Sequence, residues 1–413
     1  MRLKALTLSL ILILNAFFSA LANEEGALDL SPAPTPAPEP VANLAPLSEG
    51  PLETGVPVQA DCAAVLLCEQ DSGQIIFQMN ETAQRPAASV TKVMTILLTL
   101  EALDAGQCRP DDIVTISKTA AGMGGSQVLL DVGEQQTLHT LLESVIVGSA
   151  NDAAVALAES LFGSEEGCVN RMNTRARELG MSDTCFVNCT GLPAEGQHTT
   201  ARDVAIMARA LFSHPDYFEY SGTWMDDIDH GQNRVTQLVN TNKLLRLYDG
   251  CDGGKTGSTR EAGYCIAATA RRAGMRLVAV VLGADSGAER FDIASRMLDH
   301  GFANYRRYPV AQRGTRIRGT LPVTGGSEDG VALMLDTDLT LLVSRGEEQR
   351  IRLTPCLPPS LEAPVRAGDP VGSVQVVLDD RVLAEIPVVA ASDISAYGLR
   401  PGLNRLWSLW AMF

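Results

Sequence analysis

Near residue 306 the sequence changes texture, and no single fold class suits both sides of the change. Before it, strand-like and helical stretches are mixed. AAVLLCEQ, the turn Asp71-Ser72-Gly73 and QIIFQMN read as a β-hairpin. Residues 89–103 carry a Val, Met, Ile and Leu run with no internal Gly or Pro, which predicts a helix. Further helices are expected over about 138–147, 153–162 and 292–302. Strands are expected over 264–270 and 277–282, joined by a turn near Ala273-Gly274. After residue 306, the short runs VALML, LTLLV, IRLT, GSVQVVL and VLAEIPVV alternate with turns, as in a small all-β domain. A chain of 413 residues is long enough for both units. No internal repeat interrupts them.

The two ends carry separate signals. Arg2 and Lys4 precede an almost unbroken apolar run over 6–18, and Ala20-Leu21-Ala22 is a small-residue cleavage site. Residues 1–22 therefore read as a signal peptide that is removed, and the mature chain as exported. Ser31 to Pro40 reads SPAPTPAPEP, which favours extended polyproline II and builds no core, so 23–58 reads as a linker. At the other end, Leu403, Leu406, Trp407 and Trp410 fall at helical spacing, with Met412 and Phe413 beyond them and Arg400 and Arg405 alongside. An eleven-residue helix reaches roughly 16 Å, about half the hydrocarbon thickness, so it does not span. Residues 393–413 are expected to lie on a membrane surface as an amphipathic helix. The competing expectation is a helix docked on the β domain, because only Asn404, Arg405 and Ser408 supply a polar face.

The formal net charge of −16 argues against nucleic acid as a partner. The nine cysteines, 62, 68, 108, 168, 185, 189, 251, 265 and 356, include no C-x-x-C and no zinc spacing. Most read as small buried apolar residues, with one or two disulfides as the alternative and an odd count that leaves at least one thiol unpaired. No metal site and no cofactor is implied.

Three short motifs carry chemistry. Ser89-Val90-Thr91-Lys92 is S-x-x-K, Ser149-Ala150-Asn151 is S-x-N, and Lys255-Thr256-Gly257 is K-T-G. Residues three apart share a helix face, which brings the Lys92 amine to Ser89. A serine hydroxyl needs a base to become a nucleophile. A lysine is that base only when burial and neighbouring positive charge lower its pKa. Lys255 could supply such a charge and attract an anionic substrate. Ser149 and Asn151 offer a hydroxyl and an amide where two helices meet, and Gly257 lets an extended peptide approach a strand edge. Lysine usage sharpens this. Of 33 basic residues only five are lysines, at 4, 92, 118, 243 and 255, and two of them stand in these motifs. Arginine does not deprotonate in a protein, whereas lysine can.

The trio is the signature shared by class A β-lactamases and penicillin-binding proteins. RPAASVTKVMT, VGSANDAAVALAE and GGKTGSTREAGYCIAATA closely resemble the D-alanyl-D-alanine carboxypeptidase family of low-molecular-weight penicillin-binding proteins. So do RMNTRARELGMSDTCFVNCTGL, HTTARDVAIMARAL and NTNKLL. The resemblance implies an α+β fold. A penicillin-binding-protein/β-lactamase-like transpeptidase domain over 59–306, with an antiparallel sheet flanked by helices, would be followed by a β-rich domain over 307–392. It implies removal of the terminal D-alanine from peptidoglycan stem peptides, in the cell wall or on the outer face of the membrane, with β-lactam antibiotics as ligands. It makes Ser89 the acylated nucleophile, Lys92 its base, and Ser149 and Asn151 proton carrier and substrate holder. Lys255 and Thr256 would bind the terminal carboxylate, with Gly257 beside them. Backbone N–H groups of Ser89 and Ser258 would form the oxyanion hole, and Arg290 would hold carboxylate. Ala150 and Gly254 depart from the family's frequent Gly and Ile or Val, and are expected to modulate the site.

Other readings are weaker. Gly253-Gly254-Lys255-Thr256 approaches a P-loop, but Asp249 stands where the first glycine is needed. Glu166 and Asn170 resemble a β-lactamase deacylation region but follow Asn151 too closely. No G-x-S-x-G elbow is present. His198 reads as structural, near Asn188 and Asp203. A β-lactamase and a non-catalytic penicillin sensor remain the functional alternatives.

Overall fold

The computed structural model describes residues 44–231 and 233–398. The expected signal peptide, the proline-rich stretch and the tryptophan-bearing C-terminal segment lie outside the described residues. In chain order, β1 (Ala64–Glu69) and β2 (Ile75–Met79) form the hairpin read from sequence. A 3-10 turn, Ala88–Thr91, runs into α1 (Lys92–Asp104). β3 (Ile113–Thr115) pairs with β4 (Gln135–Thr137) around the single-turn α2 (Lys118–Ala121). Then come α3 (Leu138–Ile146), α4 (Asn151–Phe162), α5 (Glu165–Glu178), α6 (Ala201–Leu211) and the short α7 (Tyr217–Ser221). A second hairpin, β5 (Met225–Asp229) with β6 (Val235–Val239), and α8 (Leu244–Leu247) precede β7 (Cys251–Thr259), β8 (Gly263–Arg272) and β9 (Met275–Ala284). The long α9 (Gly287–Asn304) closes this part.

Local chemistry sets several of these ends. The hydroxyls of Thr137, Ser164, Thr200 and Ser286 accept backbone N–H groups at the starts of α3, α5, α6 and α9. At α9 the cap is followed by Glu289 three residues on, the capping-box spacing. Gly163 ends α4 with a left-handed φ of 78°.

The central sheet has strand order β2-β1-β9-β8-β7 and is antiparallel throughout. All six residues of β1 are buried, because both sheet faces are covered. Ala64, Leu66 and Cys68 point into the larger core with α1, α3, α4 and α6. Val65 and Leu67 point the other way, against Ile293, Met297 and Leu298 of α9. β7 is left as an edge strand, and it carries K-T-G.

The expected linker is held to this body over the part described. Backbone N–H groups of Ser48, Leu52 and Glu53 bond the carbonyls of Gly73, Ile75 and Ile76. The Glu53 carboxylate accepts from Tyr305 Oη at 2.8 Å and pairs with His300 Nε2 at 2.6 Å.

From Tyr305 the chain is all β. β10 (Tyr305–Ala311) pairs with β13 (Leu339–Ser344). β11 (Arg316–Thr324), β12 (Gly330–Leu335), β14 (Ile351–Cys356), β15 (Leu361–Glu362), β16 (Pro370–Leu378) and β17 (Arg381–Ala390) form one six-stranded sheet. Alternate residues such as Val331, Leu333 and Leu335 fill its own core. Ile394 and Ala396 form bridges to Val365 and Gly326. Among the described residues no cysteine is in a disulfide; four are buried, four partly buried, and Cys356 is exposed.

Candidate active site

The serine turn is clasped from two sides. Ala88 has a φ of 48°, and Ser89 follows it in the 3-10 turn that precedes α1. A Cβ on Gly191 would sit 1.9 Å from the Ala88 carbonyl oxygen, and one on Gly257 would sit 2.6 Å from the Ser89 nitrogen. Both positions therefore need glycine, and β7 runs directly against the serine backbone. The loop carrying Gly191 is shaped by Asn188. Its Oδ1 accepts from Thr190 N, Thr190 Oγ1 and Gly191 N at 3.2, 3.1 and 2.7 Å.

That loop aims the Thr190 carbonyl at Lys92. Lys92 Nζ donates to Thr190 O at 2.7 Å and lies 3.0 Å from Ser89 Oγ. The side chain has no exposure at all. Burial pushes the ammonium down to about 7, against the opposing pull of Cys189 and Asp152. A lysine that loses its proton near neutrality and touches a serine hydroxyl can accept the proton of that hydroxyl.

The other two motifs meet opposite. Ser149, with a φ of 60°, occupies the break between α3 and α4. Lys255 Nζ donates to Ser149 Oγ at 2.7 Å and to Thr256 O at 3.3 Å. Burial holds the Lys255 ammonium well below its ordinary value, and the cations Lys92 and Arg290 push the same way. Thr256 Oγ1 donates to Thr241 Oγ1 at 2.8 Å, which engages the NTNKLL stretch. Asn151 Nδ2 donates to Gly124 O at 2.6 Å, while its Oδ1 is buried and unpartnered among the described residues. The next residue, Asp152, accepts from Val128 N at 3.1 Å and Leu130 N at 3.2 Å, folding the 124–130 loop over the start of α4.

Residues 52–286 match the family model for D-alanyl-D-alanine carboxypeptidase, and 305–396 match that of the penicillin-binding protein 5 C-terminal domain. The chain belongs to the D-alanyl-D-alanine carboxypeptidase family. It is 37% identical over 354 residues to D-alanyl-D-alanine carboxypeptidase DacF of Bacillus subtilis, covering 86% of this chain and 91% of that one. It is 31% identical to DacA of Escherichia coli, covering 82% and 85%. The solved penicillin-binding protein 5 of Haemophilus influenzae superposes with a TM-score of 0.73 at 29% identity, over 83% of this chain and 99% of that one.

Around this family centre the remaining expected residues take different places. Arg290 Nη1 donates to the carbonyls of Gly257 and Cys265 at 2.9 and 3.3 Å, so the guanidinium braces β7 by its backbone. Its Nε is buried without a partner among the described residues, and burial lowers its pKa. Ser258 is exposed where β7 leaves the site. His198 Nδ1 pairs with Gly196 O at 2.7 Å and its backbone pairs with Cys185. It is not among the partners of the serine or either lysine. On α5 it is Glu165, not Glu166, that reaches the Lys92 loop, bonding Cys189 N at 3.2 Å.

Sequence reasoning assigned no role to Asn188, Asp152 or Tyr217. Asn188 had a usable signal, since an Asn shortly before a Gly marks a side-chain-built turn. Asp152 and Tyr217 had none, because their partners lie 22 or more residues away.

Proposed function

We propose that this family member releases the terminal D-alanine of peptidoglycan stem peptides through an acyl-enzyme on Ser89, and that β-lactams trap the same serine. The observation that carries this is the fully buried Lys92 amine, pushed down to about 7 and 3.0 Å from Ser89 Oγ. Ser89 Oγ attacks the carbonyl of the penultimate D-alanine as its proton passes to Lys92. The N–H groups of Ser89 and Ser258 receive the developing oxyanion. Lys255 and Thr256 hold the substrate carboxylate, whose negative charge opposes the burial that lowers the Lys255 pKa. The unpartnered Oδ1 of Asn151 accepts a substrate amide N–H. As the C–N bond breaks, the leaving amine takes the proton held by Lys92, relayed through Ser149, which leaves Lys92 neutral. Water then gives a proton to Lys92 as its oxygen attacks the ester, and Lys92 returns that proton to Ser89 Oγ as the ester bond breaks.

The finer partners and location belong to the same proposal. The mature chain works outside the cytoplasm at the wall or membrane face. No helix among the described residues is long and apolar enough to cross a membrane. Ile394 and Ala396 are bridged to the β-rich region, so the expected surface helix is cut back to the segment after residue 398, which would instead rest on the membrane surface. Flotation with anionic liposomes, full length against a chain stopped at Ser395, tests this; equal partitioning would remove the anchor.

The deciding experiment is D-alanine release from a pentapeptide-ending substrate, wild type beside Ser89→Ala. A fluorescent penicillin separates the alternatives. A slowly clearing label fits the carboxypeptidase, rapid clearing a β-lactamase, and a stable label without D-alanine release a sensor.

A further inference from the structure

β7 is an edge strand, so its outward N–H and C=O groups are open to any extended peptide. On such a strand the outward groups belong to alternate residues. Here the outward positions before the site are closed by one short helix. Tyr217 Oη accepts from Gly254 N at 2.9 Å and reaches Gly254 O at 3.3 Å. Ser221 Oγ donates to Asp252 O at 2.6 Å. Tyr217 and Ser221 are four apart on α7, an axial rise of about 6 Å. Asp252 and Gly254 are two apart on β7, next to an irregularity in its pairing with β8 between Cys251 and Gly253. One helix face thus covers the carbonyl of Asp252 and the N–H of Gly254. Of the next two, Thr256 O already accepts from Lys255 Nζ at 3.3 Å, and Ser258 is exposed and left for substrate.

The glycine pair before Lys255 makes this closure fit. A Cβ on Gly253 would lie 2.8 Å from Tyr217 Cε1 and 3.2 Å from Ser221 Oγ. Gly254 has a φ of 138°, and a Cβ there would lie 2.6 Å from Ala267 O. Tyr217 itself is 1% exposed. Gly254 takes part in the closure through its backbone N–H, which Tyr217 Oη accepts, while its missing Cβ makes room for β8.

We infer that Tyr217 and Ser221 are specificity-determining positioning residues that stop the peptide-binding edge one outward position before Thr256. This rests on the proposed orientation, with the substrate carboxylate at Lys255 and Thr256. The closed side then lies just past that carboxylate, and the substrate has to end there. The class admitted is a peptide whose leaving residue is its last.

The test compares an acylated L-lysyl-D-alanyl-D-alanine with the same peptide extended by glycine, following cleavage between the two D-alanines. Wild type is expected to prefer the unextended peptide by at least about a hundredfold in kcat/KM. Lys255 contributes to that preference, so the variants isolate the closure. Tyr217→Ser, which removes the ring, should shrink the ratio at least about tenfold, and Tyr217→Phe, which removes only the hydroxyl, by about threefold. Penicillin ends at its carboxylate, so its acylation rate should stay within about threefold of wild type in both. An unchanged ratio in variants that still acylate would overturn the inference, as would wild type cleaving both peptides equally. If Tyr217→Ser does not fold, the Tyr217→Phe ratio decides. Failure of wild type to label with penicillin would instead overturn the reading of the site itself.

Discussion

Up to Asn304 the protein buries lysines, carboxylates and an arginine; after Tyr305, among the described residues, every buried side chain is apolar. Burying charge is costly unless it is paired or neutralised, and the first region shows each remedy. Glu101 is met by Arg175 at 2.7 Å. Arg209 donates to the carbonyls of Gln70 and Ala45, both at 2.8 Å. Asp152 takes backbone N–H groups. Among the described residues Lys92 and Lys255 have no carboxylate partner, only hydroxyl and carbonyl oxygens. Their remedy is a lowered pKa. The β-rich region pays no such cost, with apolar residues alternating inward over a separate core. The contrast teaches where chemistry can reside: in the region that spends stability to keep reactive groups dry.

The sharpest way to break this contrast is at the centre. Ser89→Ala should abolish both D-alanine release and covalent penicillin labelling, since both require the same oxygen. A label on the variant at any other residue would take the nucleophile role from Ser89.

Next comes the claim that Lys92 works by losing its proton. Lys92→Arg should be nearly as inactive as Lys92→Ala, each slower by about 10²–10⁴ in acylation, because a guanidinium keeps its proton. In wild type the acylation rate should rise as pH climbs through about 7, where Lys92 becomes neutral. The linkage has a definite sign. The folded value lies below the unfolded one near 10.4, so the unfolded chain binds more protons between these values. The Lys92 contribution to stability therefore rises with pH across that window. An acylation profile flat from pH 6 to 8 would contradict a titrating Lys92.

Lys255 should behave differently. If it serves as a fixed positive charge for a carboxylate, Lys255→Arg should cost about tenfold and Lys255→Ala about a hundredfold, mainly in KM. Equal, total loss in both would give Lys255 a proton-transfer role as well.

How far the sequence could take this is visible in particular residues. The S-x-x-K spacing and the scarcity of lysine pointed to Ser89, Lys92 and Lys255, and the hairpin of β1 and β2 followed from two strand-like runs on either side of Asp71-Ser72-Gly73. The helix expected over 89–103 instead begins at Lys92, with Ser89 in a 3-10 turn. Gly191 and Gly257 press on that turn from segments about 100 and 170 residues away, and local propensity contains no trace of them. The β5–β6 hairpin was missed because MDDID is polar and only Ile228 in it is buried. β10, β11 and β15 were missed as well; the last is two residues long and depends on its pairing with β11. Residues that close the edge of β7 act across the fold, so only the assembled structure brings them beside K-T-G.

The smallest effect is expected from removing the β-rich region. A chain ending at Tyr308 keeps Ser89, Lys92, Ser149, Asn151, Lys255 and Arg290, and it keeps Tyr305 with its bond to Glu53. Lost with the region are Arg345 N to Asn304 O at 2.8 Å, Arg345 Nη2 to Phe302 O at 3.1 Å, Arg306 Nη1 to Glu348 at 3.2 Å, and the pairing of residues 305–308 with β13. Leu342, which packs on the α9 side of the sheet, is lost too. Together these predict a destabilisation of about 1–3 kcal/mol, read as a lower melting temperature. None of them touches the serine turn, the two lysines or β7, so penicillin acylation should stay within about threefold of full length. If the shortened chain melts cooperatively yet cannot be labelled, the β-rich region takes part in the chemistry and the contrast between the two regions fails.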